Sequence, residues 1–307
     1  YVMVAQALSG IGKDLNKMSA KASIKSLVPA DAQGQLYHWI ALLTGSKNAL
    51  KGVGFFLGGW LLATVGFQNA VAAMATALAG VLILSFLLLD RSTGIAKKPQ
   101  PFQHLFSKSS AVNRLSAARF FLFGSRDVWF VVALPVFLQS QLQWSYVQVG
   151  TMMAAWVIAY GVVQTVAPKV TIIGKTIKDS NITHPSGRTA FRWVSILCLI
   201  PAAIACGLYT AGSDTSLVAT GLVSGLLVFG ALFAINSSIH SYLIVAYARE
   251  DGASLDVGFY YMCNAAGRLV GTLLSGLIYQ QFGLAACLLV SSGMLITTAV
   301  ISKKLPG

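Results

Sequence analysis

Charged residues are scarce in this 307-residue chain, where Asp, Glu, Lys and Arg together make up only 10%. Acidic residues are the scarcest, with 9 Asp and Glu against 22 Lys and Arg, giving a net charge of +13. Hydrophobic residues make up 56% of the chain, and their runs are long enough to cross roughly 30 Å of hydrocarbon. This composition excludes an ordinary soluble domain.

The motifs of metal proteins, nucleotide-binding enzymes and nucleic-acid-binding domains are missing too. The four cysteines are Cys198, Cys206, Cys263 and Cys287. They have neither CxxC nor Cys/His spacing, so no metal or other cofactor is expected. The G-S-K triplet at 45–47 lacks the spacing of a phosphate loop, and no nucleophile–base arrangement indicates an enzyme. The basic residues do not form a separate domain, so no nucleic-acid partner is expected.

The long apolar runs predict membrane-spanning helices, because a backbone in lipid must satisfy its hydrogen bonds within a helix or a closed barrel. The runs lack the alternation of barrel strands. We predict an all-α polytopic bundle in the lipid bilayer, with one further helix running from Tyr1 to about Leu27. The eight full spans are predicted at about 36–66, 68–89, 115–138, 145–167, 190–211, 216–247, 257–281 and 283–302.

Basic residues occupy every second connection between the predicted spans. The connections 90–114 and 168–192 each carry five Lys or Arg, and Lys303 and Lys304 lie in the tail. The alternate connections, near 67–69, 139–144, 212–215 and 282, contain none. Short basic loops stay in the cytoplasm. We therefore predict a multi-pass protein whose C-terminus is cytoplasmic.

Small and basic residues recur at a fixed offset of 217 positions. Gly54, Gly59 and Gly66 correspond to Gly271, Gly276 and Gly283, and Lys51 corresponds to Arg268. Such an internal repeat is typical of several transporter folds. By this offset the span 216–247 matches the first 30 residues, and the spans within 115–211 match positions before Tyr1. We therefore expect helices 4 to 12 of a six-plus-six arrangement, without the first three helices.

The repeat also predicts the domain organisation. Residues 1–89 would be the remainder of the N-terminal six-helix half, and residues 115–307 the C-terminal half. The basic segment 90–114 would be the cytoplasmic linker between them.

Four basic side chains are predicted near the middle of the membrane, where a charge costs several kcal/mol and usually marks a functional site. They are Lys47, Lys51, Arg126 and Arg268. Three of them lie about eleven residues into a span, or roughly 16 Å deep. Asp127 is the single acid that these spans supply at that depth. The excess of cations predicts a site for a small organic anion. Structural pairing with acids on other helices is the alternative.

Lysines recur at every fourth position before these spans, at Lys13, Lys17, Lys21 and Lys25, with Asp14 beside the first. On a helix they form one stripe. One interpretation continues the membrane helix and places Lys13 and Lys17 in the anion site. The other ends the span at Gly12 and puts the stripe on a solvated helix.

Three further polar residues are weaker candidates. Arg119 lies less deep than Arg126, where it would gate the cytoplasmic mouth or extend to the membrane surface. Gln164 and Asn264 are candidate hydrogen-bonding residues of a central cavity.

Four segments resemble the organoarsenical efflux permeases of the major facilitator superfamily, the ArsJ type. They are SGIGKDLNKMSAKASIK, LTGSKNALKGVGFFLGG, ARFFLFGSRDVWFVVALPVF and NAAGRLVGTLLSG. The resemblance covers nearly the whole chain, and KDLNKMSAK and GSRDVWFVV are its most specific parts. The glycines at 52–59 resemble an antiporter motif of the superfamily, although Val53 stands where a proline is usual.

The resemblance implies a transporter of the bacterial inner membrane that exports 1-arseno-3-phosphoglycerate by alternating access and so confers arsenate resistance. That compound forms when arsenate replaces phosphate in the glyceraldehyde-3-phosphate dehydrogenase reaction, which implies a functional link to this enzyme. The superfamily also implies proton antiport, with Asp14 and Asp127 as the coupling carboxylates, because each adjoins a cation. A transporter of another organic anion or sugar phosphate, and a non-transporting membrane protein, remain alternatives.

Overall fold

The computed structural model describes residues 12, 19–21, 24, 28–29, 32–88, 109–173, 184–212, 214–249 and 252–306. Within these ranges the chain is helical and has no strand, which confirms the all-α fold class. Its helices are α1 (Gln33–Leu88), α2 (Ser110–Phe130), α3 (Ala133–Ser140), α4 (Tyr146–Ile173), α5 (Gly187–Leu197), α6 (Leu199–Thr210), α7 (Thr215–Tyr247) and α8 (Ala253–Ser302). The predicted linker falls mostly outside the described residues.

Helix α8 contains 50 residues but turns back on itself at Gly283, where φ is 75° and ψ is −174°. A straight helix of that length would extend for about 75 Å. A Cβ placed on Gly124 of α2 would lie 2.5 Å from Met294 Cε and 3.0 Å from the carbonyl oxygen of Gly267. Met294 and Gly267 belong to opposite arms of α8, so the two arms lie side by side.

Helix α1 is interrupted in the same way at Gly66, where φ is 76° and ψ is 170°. L-residues with a side chain rarely adopt this conformation, which explains the glycine at both positions. Gly66 and Gly283 were paired in sequence by the 217-residue offset. Their matching backbone geometry supports the predicted internal repeat.

Two predicted spans are divided by prolines. The span predicted at 115–138 breaks between α2 and α3 at Val131, and the span predicted at 190–211 breaks between α5 and α6 at Cys198. Pro135 and Pro201 lack the N–H that would bond the carbonyl four residues earlier, and their rings clash with it. Each of the two spans still crosses as one apolar segment, Ser110–Ser140 and Gly187–Thr210, with a break inside it.

Six helices in the described part of the chain are long and apolar enough to cross a membrane. They cover Thr64–Leu88, Ser110–Ser140, Tyr146–Thr171, Gly187–Thr210, Thr215–Tyr247 and Ala253–Ser302. The last contains the turn at Gly283 and therefore supplies two antiparallel segments. The chain is a multi-pass membrane protein.

Small residues allow two helix pairs to pack at short range. Helix α2 packs along α8, where a Cβ on Gly267 would collide with the carbonyl oxygen of Phe120. Helix α1 packs along α4, where a Cβ on Gly161 would collide with the backbone of Ala49. Close backbone approach at small residues is a common way of packing helices in membranes. The two contacts bring polar side chains of α1, α2, α4 and α8 to the middle of the bundle.

Candidate functional site

Helix α2 directs Asp127 towards α8. A Cβ on Gly271 of α8 would lie 3.2 Å from Cβ of Asp127 and 2.6 Å from the carbonyl oxygen of Gly124. The absence of a side chain at Gly271 therefore lets the two helices approach until Arg268 of α8 can reach Asp127.

Asp127 binds two arginines and is fully buried. Arg126 Nε donates to Asp127 Oδ1 over 2.7 Å, and Arg268 Nε donates to Asp127 Oδ2 over 2.8 Å. The side chains of Arg126 and Arg268 are 13% and 46% exposed. We call Arg126, Asp127 and Arg268 the arginine–aspartate cluster. Two cations share one carboxylate, so the cluster carries one excess positive charge.

The other predicted site residues have different environments. Lys47 and Lys51 are exposed on α1. Lys13, Lys17 and Asp14 lie outside the described residues. The structure thus brings together the three predicted residues of the arginine–aspartate cluster.

Lys21 belongs to the lysine stripe and is buried, with 3% of its surface exposed. Its Nζ lies 5.3 Å from the ring centroid of Tyr261 in α8. Lys21 therefore packs against α8, while Lys13, Lys17 and Lys25 of the stripe lie outside the described residues.

A second group of polar side chains connects five helical segments of the bundle; we call it the polar network. Asn48 Nδ2 donates to Gln164 Oε1 over 2.6 Å, and Gln164 Nε2 donates to Ser237 Oγ over 3.1 Å. Arg119 Nη1 donates to the hydroxyl and the carbonyl oxygen of Ser237 over 3.2 and 3.4 Å. Arg119 Nε donates to Asn264 Oδ1 over 2.9 Å. The network therefore links α1, α4, α7, α2 and α8 in that order.

Arg119 is 4% exposed, so it neither extends to the membrane surface nor forms an open mouth. Among the described residues no carboxylate lies within ion-pair distance of it. Its guanidinium carbon lies 3.8 Å from the ring centroid of Phe123 and 5.1 Å from that of Tyr260. The Phe123 ring also lies 5.1 Å from the guanidinium carbon of Arg126. One phenyl ring thus contacts both cations.

Sequence reasoning missed Asn48 and Ser237, which complete the polar network. Ser237 lies in the run Asn-Ser-Ser-Ile-His-Ser at 236–241, and this polar run inside an apolar span was a usable signal. Asn48 gave no comparable signal, because its role depends on the approach of α4. In the part of the chain that the structure describes, no cluster of His, Cys, Asp or Glu has the composition of a metal site.

Long apolar helices packed around buried charged residues are the architecture of a membrane transporter. The sequence profile of the Major Facilitator Superfamily matches residues 1–178, more than half of the chain. The chain therefore belongs to this superfamily.

The crystal structure of the human organic anion transporter MFSD10 (TETRAN) has a similar fold, with a TM-score of 0.65 and 17% sequence identity. The match covers 93% of this chain and 67% of that protein. At this identity the likeness concerns the fold alone. No curated protein sequence matches this chain.

Proposed function

We propose that the protein is a secondary active transporter that exports the anionic organoarsenical 1-arseno-3-phosphoglycerate and so confers arsenate resistance. An anionic substrate is supported by the excess of cations at the arginine–aspartate cluster and the polar network, where three described arginines (Arg119, Arg126 and Arg268) accompany the carboxylate of Asp127. The resemblance to organoarsenical permeases supplies the particular substrate.

The chemistry of this substrate suits such a site. Its arsenate and phosphate groups are hard oxyanions, and the planar guanidinium group of arginine binds oxyanions with two parallel hydrogen bonds. Lys47 and Lys51 would add point charges from α1, and Lys13 and Lys17 from the helix before it. Another organic anion or a sugar phosphate would use the same cations, so it is the main alternative.

The proposed transport cycle is alternating access between two halves of the protein, 1–89 and 115–307, joined by the linker 90–114. The close contact of α1 with α4 would then lie between the halves, since it joins Gly45 to Gly161. Rocking of two repeats about a central site is the usual form of this cycle. We place the protein in the bacterial inner membrane, with the C-terminus in the cytoplasm.

Asp127 is the proposed site of proton coupling, together with Asp14. A substrate anion and the Asp127 carboxylate would compete for the guanidinium groups of Arg126 and Arg268. Substrate and proton occupancy would therefore be linked at this residue.

The test is arsenate tolerance of an arsenic-sensitive bacterium that expresses the full-length protein, with and without a partner glyceraldehyde-3-phosphate dehydrogenase. We expect tolerance only with both genes, and its loss in Lys51→Ala and Arg126→Ala. Arg114→Ala is the matched control, because Arg114 is an exposed arginine of α2 that donates to the carbonyl of Lys304. Absence of tolerance from a protein present in the membrane would exclude the arsenical and favour another phosphorylated or carboxylated substrate.

A further inference from the structure

We infer that Arg119 is a second anion-binding point, so that the site selects substrates with an anionic group at each end. One end would bind Arg126 and Arg268, and the other would bind Arg119. The inference rests on the proposed function as an anion transporter, and it adds a specificity-determining residue and a defined substrate class.

The first argument is the charge of Arg119. A buried cation without a counter-ion loses several kcal/mol of hydration energy, and neutral hydrogen bonds offset this loss only in part. Asn264 and Ser237 accept from Nε and Nη1 of Arg119, whereas Nη2 donates to none of the described residues. One edge of the guanidinium group therefore has no acceptor among the described residues, and an anion bound there would also balance the charge of Arg119.

The second argument is the spacing of the cations. Arg119 and Arg126 are seven residues apart on α2, so they lie on one face of the helix. Each places its guanidinium carbon near the Phe123 ring, 3.8 and 5.1 Å from the centroid. The two carbons are therefore no further apart than these two distances combined. A three-carbon chain with an oxyanion ester at each end spans roughly 7 Å, which lies within this upper limit.

Helix α8 contributes to the same row from the opposite side. Asn264 binds Arg119, and Arg268, four residues later, binds Asp127. Within the described residues this row holds three guanidinium groups and the carboxylate of Asp127, which binds two of them, so two positive charges are left in excess. Two separated charges of this kind are complementary to a substrate with two anionic ends.

The experiment compares two probes that differ by one phosphonate group, pentylphosphonate and pentane-1,5-bisphosphonate. Their affinities are measured by calorimetry on the purified full-length protein in detergent. We expect the bisphosphonate to bind at least about tenfold more tightly, because its second group binds intramolecularly. In Arg119→Gln this advantage should disappear while pentylphosphonate still binds. Arg114→Gln, on the exposed part of α2, should retain the full advantage.

Changing the number of carbons between the two phosphonates distinguishes binding at two spaced points from general attraction between charges. Methylene bisphosphonate is too short to reach both points, so it should bind no better than pentylphosphonate. Equal affinities of the two pentyl probes for the unmodified protein would overturn the inference and leave the anion site intact. An advantage that survives in Arg119→Gln would also overturn it. Failure of both probes to bind would overturn the inference and the proposed anion transport together.

Discussion

The arginine–aspartate cluster and the polar network hold arginines in opposite ways. In the cluster, Arg126 and Arg268 share a carboxylate that uses both of its oxygens. In the network, Arg119 is more deeply buried, yet its recorded partners are an amide, a hydroxyl, a backbone carbonyl and aromatic rings. The difference shows two ways of keeping a cation inside a membrane bundle. In the cluster a carboxylate neutralises part of the charge, and in the network neutral hydrogen-bond acceptors and aromatic rings surround it.

The two arrangements should respond differently to change. Removing the only counter-charge from the cluster leaves uncompensated cations, whereas removing one neutral acceptor from the network leaves others in place. Because the helix contact between α2 and α8 supports both, a change at that contact should affect both. The following substitutions are ordered by the expected loss of stability.

Asp127→Asn should have the largest effect. Breaking a buried ion pair by removing one partner costs about 3–5 kcal/mol, and the value should lie near the lower limit because Arg268 is 46% exposed. The measurement is the melting temperature in detergent. Asp214→Asn is the matched control, since Asp214 caps the exposed start of α7 and asparagine caps equally well.

The same Asp127 variant tests proton coupling. In proteoliposomes it should still exchange substrate for substrate while losing stimulation by an imposed pH gradient. Uptake that remains driven by the gradient would remove Asp127 from the proposed coupling mechanism.

Gly267→Ala should cost about 2 kcal/mol, because its Cβ would collide with the carbonyl oxygen of Phe120 and force α2 and α8 apart. The ion pair of Arg268 with Asp127 should weaken at the same time. Gly276→Ala on the same helix has open space at its Cβ and should be neutral or slightly stabilising. Equal melting temperatures for the two variants would contradict the proposed role of the close contact.

Gln164→Leu should cost about 1–2 kcal/mol, because it leaves Asn48 Nδ2 without its acceptor and removes one of the two donors to Ser237 Oγ. The loss should be seen in chemical denaturation of the purified protein. Gln281→Leu, at an exposed position of α8, provides the same chemical change outside the network and should be silent.

Ser237→Ala should have the smallest effect, at most about 1 kcal/mol. Arg119 Nη1 loses the hydroxyl but keeps the carbonyl oxygen of residue 237, 3.4 Å away, and Gln164 Nε2 loses its acceptor while Gln164 Oε1 still accepts from Asn48. A loss of stability as large as that of Asp127→Asn would show that the polar network and the arginine–aspartate cluster respond alike, which would contradict the expected difference between them.

The sequence predicted the helical segments well where hydropathy and glycine spacing act together. The turns at Gly66 and Gly283 coincide with predicted span ends. Both residues have a positive φ, which glycine adopts more readily than residues with a side chain. The breaks before Pro135 and Pro201 were not predicted, although proline chemistry explains them. Hydropathy does not register a broken helix when the residues on both sides are apolar.

The site was predictable only in part. Arg126, Asp127 and Arg268 stand out in sequence because charges are rare in apolar spans, and the structure joins them. The partners of Arg119 could not be deduced, because Asn264 is 145 positions away in the chain and reaches Arg119 only through the packing of α2 on α8. Which polar side chains face one another depends on helix rotation, and one sequence does not determine it.

The turn at Gly283 affects which helices can move relative to one another. Because a Cβ on Gly124 of α2 would meet both arms of α8, we expect these three segments to move together as one rigid body. The body carries Arg119, Arg126, Asp127 and Arg268, so the backbone positions of these residues would keep their mutual distances while other helices move around them. The spacing of the positive charges would then act as a fixed template, presented unchanged to each side of the membrane in turn.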